Sequence, residues 1–248
     1  LGNIIFTIGQ NVISWAQNPS PTANWLIGVA AGNHRLVAVG EGNTIVTSTD
    51  GENWSTDTVS ATSSYLYGVT VGNGIFIATG GGGTVLTSSD GTNWTQQTSG
   101  TTTNLWGVTF GHSIFVAVGD EGVIITSPDG TNWTQQAIGG ADLLQSIVFD
   151  QGIFVAVGGY GNVATSSDGT NWTFQVLSDT EDELWGVTSD HHQFVAVGDD
   201  GEIVTSPDGV NWTSQTSPVS GTSLSLYNVS YGDGHFVAVG DSGTLLLS

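Results

Sequence analysis

The chain reads as an all-β, six-bladed β-propeller of four-stranded antiparallel blades, and three recurring motifs carry that reading. Thr-Ser-x-Asp-Gly-x-Asn-Trp-Thr/Ser occurs five times, with tryptophans at Trp54, Trp94, Trp133, Trp172 and Trp212, spaced 40, 39, 39 and 40 residues apart. Phe-Val-Ala-Val-Gly and close variants begin at Leu36, Phe76, Phe115, Phe154, Phe194 and Phe236. A Leu-aromatic-Gly-Val motif recurs around Leu26, Leu66, Leu105, Leu144, Leu184 and Leu226. A repeat of about 40 residues that supplies four short strands cannot bury both faces of one small sheet, so the sheets must stack radially.

In the third copy the strands are expected at 105–110, 114–119, 123–127 and 132–136. The second is the continuous apolar run Ile-Phe-Val-Ala-Val, the pattern of a strand buried on both faces. The links Gly-Asp-Glu-Gly and Pro-Asp-Gly have hairpin-turn chemistry. In the first copy Asn43 replaces the second turn glycine, and asparagine is the next most tolerant residue of positive φ. Residues 3–7 and 12–16 resemble a third and a fourth strand, with Trp15 near the motif position. The C-terminus supplies three strands, over 226–230, 235–240 and 244–248. The chain is thus expected to be one domain, 1–248, with blades near 25–57, 64–98, 104–137, 143–177, 183–217 and 225–248 plus 1–17. The ring is expected to close by pairing of an N-terminal strand with the C-terminal blade, and one strand is left over, to add as a fifth strand, stay mobile or pair with another molecule.

Composition excludes several functions. With 1 basic and 22 acidic side chains the formal net charge is −21, and Arg35 is the single Lys/Arg cation. Such a chain cannot displace counterions from nucleic-acid phosphate, and anionic membranes repel it. The absence of Lys excludes Schiff-base chemistry and a P-loop; the absence of Cys excludes disulfides, thiol catalysis and thiolate metal sites. No run of 18 apolar residues occurs. The chain begins at Leu1 without a recognisable targeting segment, which reads as a processed product or a fragment.

The unit Ser-x-Asp-Gly-x-x-Trp resembles the Asp-box of the bacterial neuraminidase repeat family. The full repeat is also similar to that of the photosystem II assembly factor family and to secreted bacterial propeller repeats. The resemblance implies that Asp50, Asp90, Asp129, Asp168 and Asp208 cap the turn between strands three and four, and that the motif tryptophans pack between blades. The local chemistry agrees, because an Asx side chain accepts hydrogen bonds from backbone two residues on. Sialidases of this kind use three arginines and a tyrosine nucleophile, and the assembly factors use an arginine-rich patch. One arginine in total leaves the architecture without either activity.

Three groups of residues are candidate sites. Asp179, Glu181, Asp182, Glu183, Asp199, Asp200 and Glu202 gather on one loop face, a set of oxygens suited to calcium, the one cofactor the sequence suggests; a solvated acidic rim is the competing reading. Ile27, Tyr67, Trp106, Gln145, Trp185 and Tyr227 open the first strands, which line a propeller's channel. Of these, Tyr67, Trp106, Trp185 and Tyr227 suit carbohydrate stacking, against which stands ordinary core packing. His34, His112, His191, His192 and His235 fall at first-to-second-strand turns in non-equivalent positions and are read as turn residues rather than a catalytic set. Five Asn-Trp-Thr/Ser triplets and Asn228-Val-Ser230 match the N-glycosylation pattern, the first five as a by-product of the repeat.

The expected function is a non-enzymatic extracellular or cell-surface module for binding or assembly, adhesive or structural, with a surface glycan, a protein or further copies of itself as partner. Alternatives are a lectin-like propeller using the loop face, a subunit that polymerises through its surplus strand, and a metal-dependent polysaccharide hydrolase or lyase.

Overall fold

The structure is a computed structural model that describes residues 5–8, 11–14, 19–59, 65–136, 142–177 and 182–248. Among the described residues there are six blades and no α-helix. Blades 1 to 5 are four-stranded antiparallel sheets whose strands pair in chain order. In blade 3 these are Leu105–Gly111, Ile114–Gly119, Ile124–Ser127 and Thr134–Gln136, with Ala117 opposite both Val108 and Ile125. Blade 6 has three strands, Leu226–Gly232, His235–Gly240 and Leu245–Leu247.

One expectation is corrected. Among the described residues the N-terminal strands do not join the C-terminal blade: Ile5–Ile8 pairs with Asn11–Ser14, in the register Ile5 opposite Ser14. Two short strands separated by two residues satisfy each other's backbone groups locally, without the loop-closure entropy of pairing with a strand more than two hundred residues away. Trp15 lies outside the described residues.

The core is a set of layers between blades. Val37, Val39 and Ile45 of blade 1 pack against Leu66, Val69, Phe76 and Leu86 of blade 2. The same positions meet between blades 2 and 3, 3 and 4, 4 and 5, and 5 and 6. Phe76, Phe115, Phe154 and Phe194 are fully buried, which accounts for the apolar run in every second strand. Trp94, Trp133, Trp172 and Trp212 pack at the edges of these layers.

The two ends of the ring are built by different turns. At one end, second and third strands are joined by tight turns whose tips take left-handed backbone, as at Glu121 (φ 57°) with Gly122 (φ 63°) and Asp200 (φ 50°) with Gly201 (φ 72°). At the other end lie the Asp-Gly turns. Oδ1 of Asp129 accepts from the amides of Thr131 and Asn132, both at 2.8 Å, and Oδ2 accepts from Asn132 Nδ2 at 2.7 Å. Trp133 Nε1 donates to the Gly130 carbonyl at 3.0 Å. Asp50, Asp90, Asp168 and Asp208 make the same carboxylate bonds.

Donated bonds favour the ionised carboxylate. The Asn211 amide and side chain, with the Val210 amide, hold Asp208 down at about 2, and bonds from the residues two and three positions on hold the other four well below the usual carboxylate range. A group depressed on folding contributes stability above its unfolded value, near 4, and that contribution disappears as pH falls through the folded value. Asp129→Asn therefore melts below the parent protein at pH 6. The deficit shrinks as pH falls below 4 and goes on shrinking until pH passes the depressed folded value, as paired thermal melts from pH 6 downwards will show; a deficit that is constant with pH would contradict the charged-acceptor account.

Candidate functional site

The first position of each second-to-third-strand turn carries Glu41, Gly81, Asp120, Gly159, Asp199 or Asp241. In blades 3, 5 and 6 that residue is an aspartate, and it faces the aromatic residue that opens the same blade's first strand. Trp106 Nε1 donates to Asp120 Oδ1 at 2.6 Å, and Trp185 Nε1 donates to Asp199 Oδ1 at 2.7 Å. Tyr227 Oη donates to Asp241 Oδ1 at 2.8 Å. In blade 1 the acid is Glu41, which accepts from Tyr65 of blade 2 at 3.4 Å.

Neighbouring bonds fix these carboxylates further. Asn104 Nδ2 donates to Asp120 Oδ2 at 2.9 Å, Ser225 Oγ donates to Asp199 Oδ1 at 2.7 Å, and the Ser225 amide donates to Asp241 Oδ2 at 3.1 Å. Tyr67 lies over Trp106 with ring centroids 4.1 Å apart, and Trp185 meets Tyr227 edge to face at 5.9 Å. Two aromatic–carboxylate groups result, one on blades 2 and 3 and one on blades 5 and 6. Gln145 and Gly159 of blade 4 separate them.

The electrostatics of this rim are those of crowded, partly buried anions. The bond to Asp241 raises the Tyr227 phenol, and burial with the Asp120 charge raises that of Tyr67. Burial followed by the Asp199 charge raises Glu183. Arg35 lies at the opposite end, where its Nη1 donates to Thr47 Oγ1 at 3.3 Å. Beside the Asp120 group an open groove of 570 Å³ is lined by Thr98, Ser99, Thr101, Thr102, Thr103 and Glu121. Asn104 joins groove to rim, accepting from the Gly82 amide at 3.1 Å while donating to Asp120.

The four aromatic candidates, Tyr67, Trp106, Trp185 and Tyr227, are thus brought together at one end in two groups. Trp106 and Trp185 are half-buried and committed to aspartates, whereas Tyr227 is exposed. Of the acidic set, Asp179 and Glu181 lie outside the described residues. Asp199 serves Trp185 and Ser225, Glu202 Oε1 accepts from Ser214 at 2.9 Å, and Asp200 is an exposed turn tip. Among the described residues no three His, Asp or Glu side chains converge as metal ligands.

Another constellation was not expected. Asp150 of blade 4 accepts from Ser189 Oγ at 2.5 Å and lies 2.8 Å from His191 Nδ1, both of blade 5. Its neighbours at other interfaces explain it: Gly72 and Gly111 seat Phe110 and Phe149 of the next blade, but here Asp150 and Ser189 stand in those places. The serine bonds the carboxylate rather than the imidazole, so the three side chains do not form the Ser–His–Asp order of a nucleophilic triad. The group is a polar substitute for an apolar interlock.

Family comparison extends the repeat reading. The DUF6242 beta propeller domain matches residues 29–138 and 101–239, which together span most of the chain. The chain belongs to that family. No curated protein matches it in sequence. Among solved structures, this DUF6242 propeller is similar to "YCF48 bound to D1 peptide", at 18% identity and a TM-score of 0.72, covering 96% of this chain and 82% of that one. YCF48 from Cyanidioschyzon merolae gives 19% identity and a TM-score of 0.71, with 96% and 85% covered. Virginiamycin B lyase from Staphylococcus aureus gives 9% identity and a TM-score of 0.78, with 94% and 86% covered. At these identities the likeness is one of fold.

Proposed function

We propose that this propeller is a non-enzymatic binding module whose aromatic–carboxylate rim takes an extended protein segment bearing lysine or arginine. The observation that carries the reading is the aspartate–aromatic pair repeated in blades 3, 5 and 6. An indole or phenol donor orients each carboxylate, and an adjacent ring offers its face, the two features that together recognise a guanidinium or ammonium group. No lysine or arginine of the chain stands at this end to compete. The hydroxyl-lined groove beside Asp120 offers hydrogen-bonding partners to the backbone of the same segment. A D1 peptide bound to YCF48 supports the choice of a peptide over a glycan, and the net charge of −21 on this chain calls for a cationic partner.

Calorimetric titration with a short peptide carrying three arginines, and with its glutamate counterpart, tests the proposal. Saturable binding of the first only, weakening as salt rises, is the expected result. Equal affinity for the two peptides, or binding of neutral glycans in preference to either, would overturn it.

A further inference from the structure

Each of the five blade interfaces joins two different faces. The forward face of one blade, with Val39 and Ile45 as its blade 1 example, covers the rear face of the next, with Leu66 and Val69 as its blade 2 example. Inside the stack these positions are sealed: Val39, Ile45 and Leu66 are 0% exposed and Val69 is 9% exposed. At the two ends of the stack the same repeat positions are open. On the rear face of blade 1, Leu26 is 42% and Val29 69% exposed; on the forward face of blade 6, Val239 is 43% and Leu245 39% exposed. A Cβ placed on Gly72 or Gly111 would strike Phe110 or Phe149 of the following blade, whereas one on Gly232 of blade 6 would meet nothing within 4 Å. None of the five core clusters joins blade 6 to blade 1.

The open faces are therefore the two unlike halves of one interface that the molecule already makes five times. What covers such a face is known from those five cases: a blade of this repeat, presenting the opposite half. We propose that a second copy of this chain supplies it, with blade 6 of one copy docking forward onto blade 1 of the next. The contact is heterologous, so it leaves a free half at each end and propagates head to tail. Copies that each carry a net charge of −21 repel one another, so assembly strengthens as salt screens that repulsion. The surface involved is a blade face rather than an unpaired strand edge.

Val29→Asp and Val239→Asp test this, because both positions are exposed and the folded monomer accommodates the change. Light scattering at moderate salt is expected to show the parent protein growing in mass with concentration. Each variant alone stays near 25.6 kDa, while an equimolar mixture forms a one-to-one pair of twice 25.6 kDa through the single intact contact. A parent protein that remains monomeric at high concentration, a variant that still self-associates, or a mixture that does not pair would each overturn the proposal.

Discussion

Gly119→Ala is expected to lower the melting temperature by about 6–12 °C, the equivalent of about 3 kcal/mol or more for a chain of this size. Gly119 ends the second strand of blade 3 and is buried, and a Cβ there would sit 1.9 Å from the carbonyl oxygen of Asn104. The obstacle is backbone, so no rotamer change relieves it. The backbone on both sides is also committed: the Gly119 amide donates to Val123, and its carbonyl accepts from Leu144 of blade 4 at 3.1 Å. The same approach recurs at Gly40, Gly80, Gly158, Gly198 and Gly240, with distances of 1.8–2.2 Å to a carbonyl oxygen. Gly232→Ala is the control, because space is open there, and it is expected to change stability by less than about 0.5 kcal/mol. Differential scanning calorimetry on the two variants compares them directly.

The second large effect concerns the rim. Replacing Asp120, Asp199 and Asp241 together by asparagine retains an oxygen acceptor for each aromatic donor and removes three charges. Hydrogen bonds to a charged group contribute about 1.5–3 kcal/mol each, so losing two engaged contacts weakens binding of the arginine peptide about a hundredfold or more. An overall charge of −21 also attracts cations without any site, which sets the control. Glu52→Gln, Asp200→Asn and Asp233→Asn together change the net charge by the same amount at exposed positions outside the aromatic pairs. Calorimetry should give a loss of less than about threefold for that control. Equal losses for the two triple variants would mean that the field, and not the rim, does the binding.

The repeat made the fold readable because every copy states the same four strands and the same turns. A face that is sealed by its neighbour must be apolar on both sides, and Phe76, Phe115, Phe154 and Phe194 with the valines around them say so without reference to structure. Ring closure is not legible, because counting strands gives their number and not their partners; pairing of 5–8 with 11–14 competes with any distant edge. The rim was half legible. Repeat position singles out Tyr67, Trp106, Trp185 and Tyr227, but groups Asp199 with its acidic neighbours as an oxygen donor for calcium, and leaves Asp120 and Asp241 outside the candidate sets. A signal did exist: each acid lies 14 residues after its aromatic partner, a separation that aligned copies display. Asp150, Ser189 and His191 were hidden for a different reason. They meet across a blade interface about one repeat apart, and the clue was the replacement of Gly and Phe at positions where other copies keep them.

The most direct test of the rim as the binding site is a titration of the arginine peptide followed through the tryptophan indole N–H resonances. The chain has nine tryptophans. Trp106 and Trp185 donate to rim aspartates, whereas Trp54, Trp94, Trp133, Trp172 and Trp212 donate to glycine carbonyls in the turns at the other end. The expected result is movement of the Trp106 and Trp185 signals with the calorimetric midpoint while the five turn tryptophans hold still. Saturable binding that shifts the turn tryptophans and leaves Trp106 and Trp185 unmoved would contradict it.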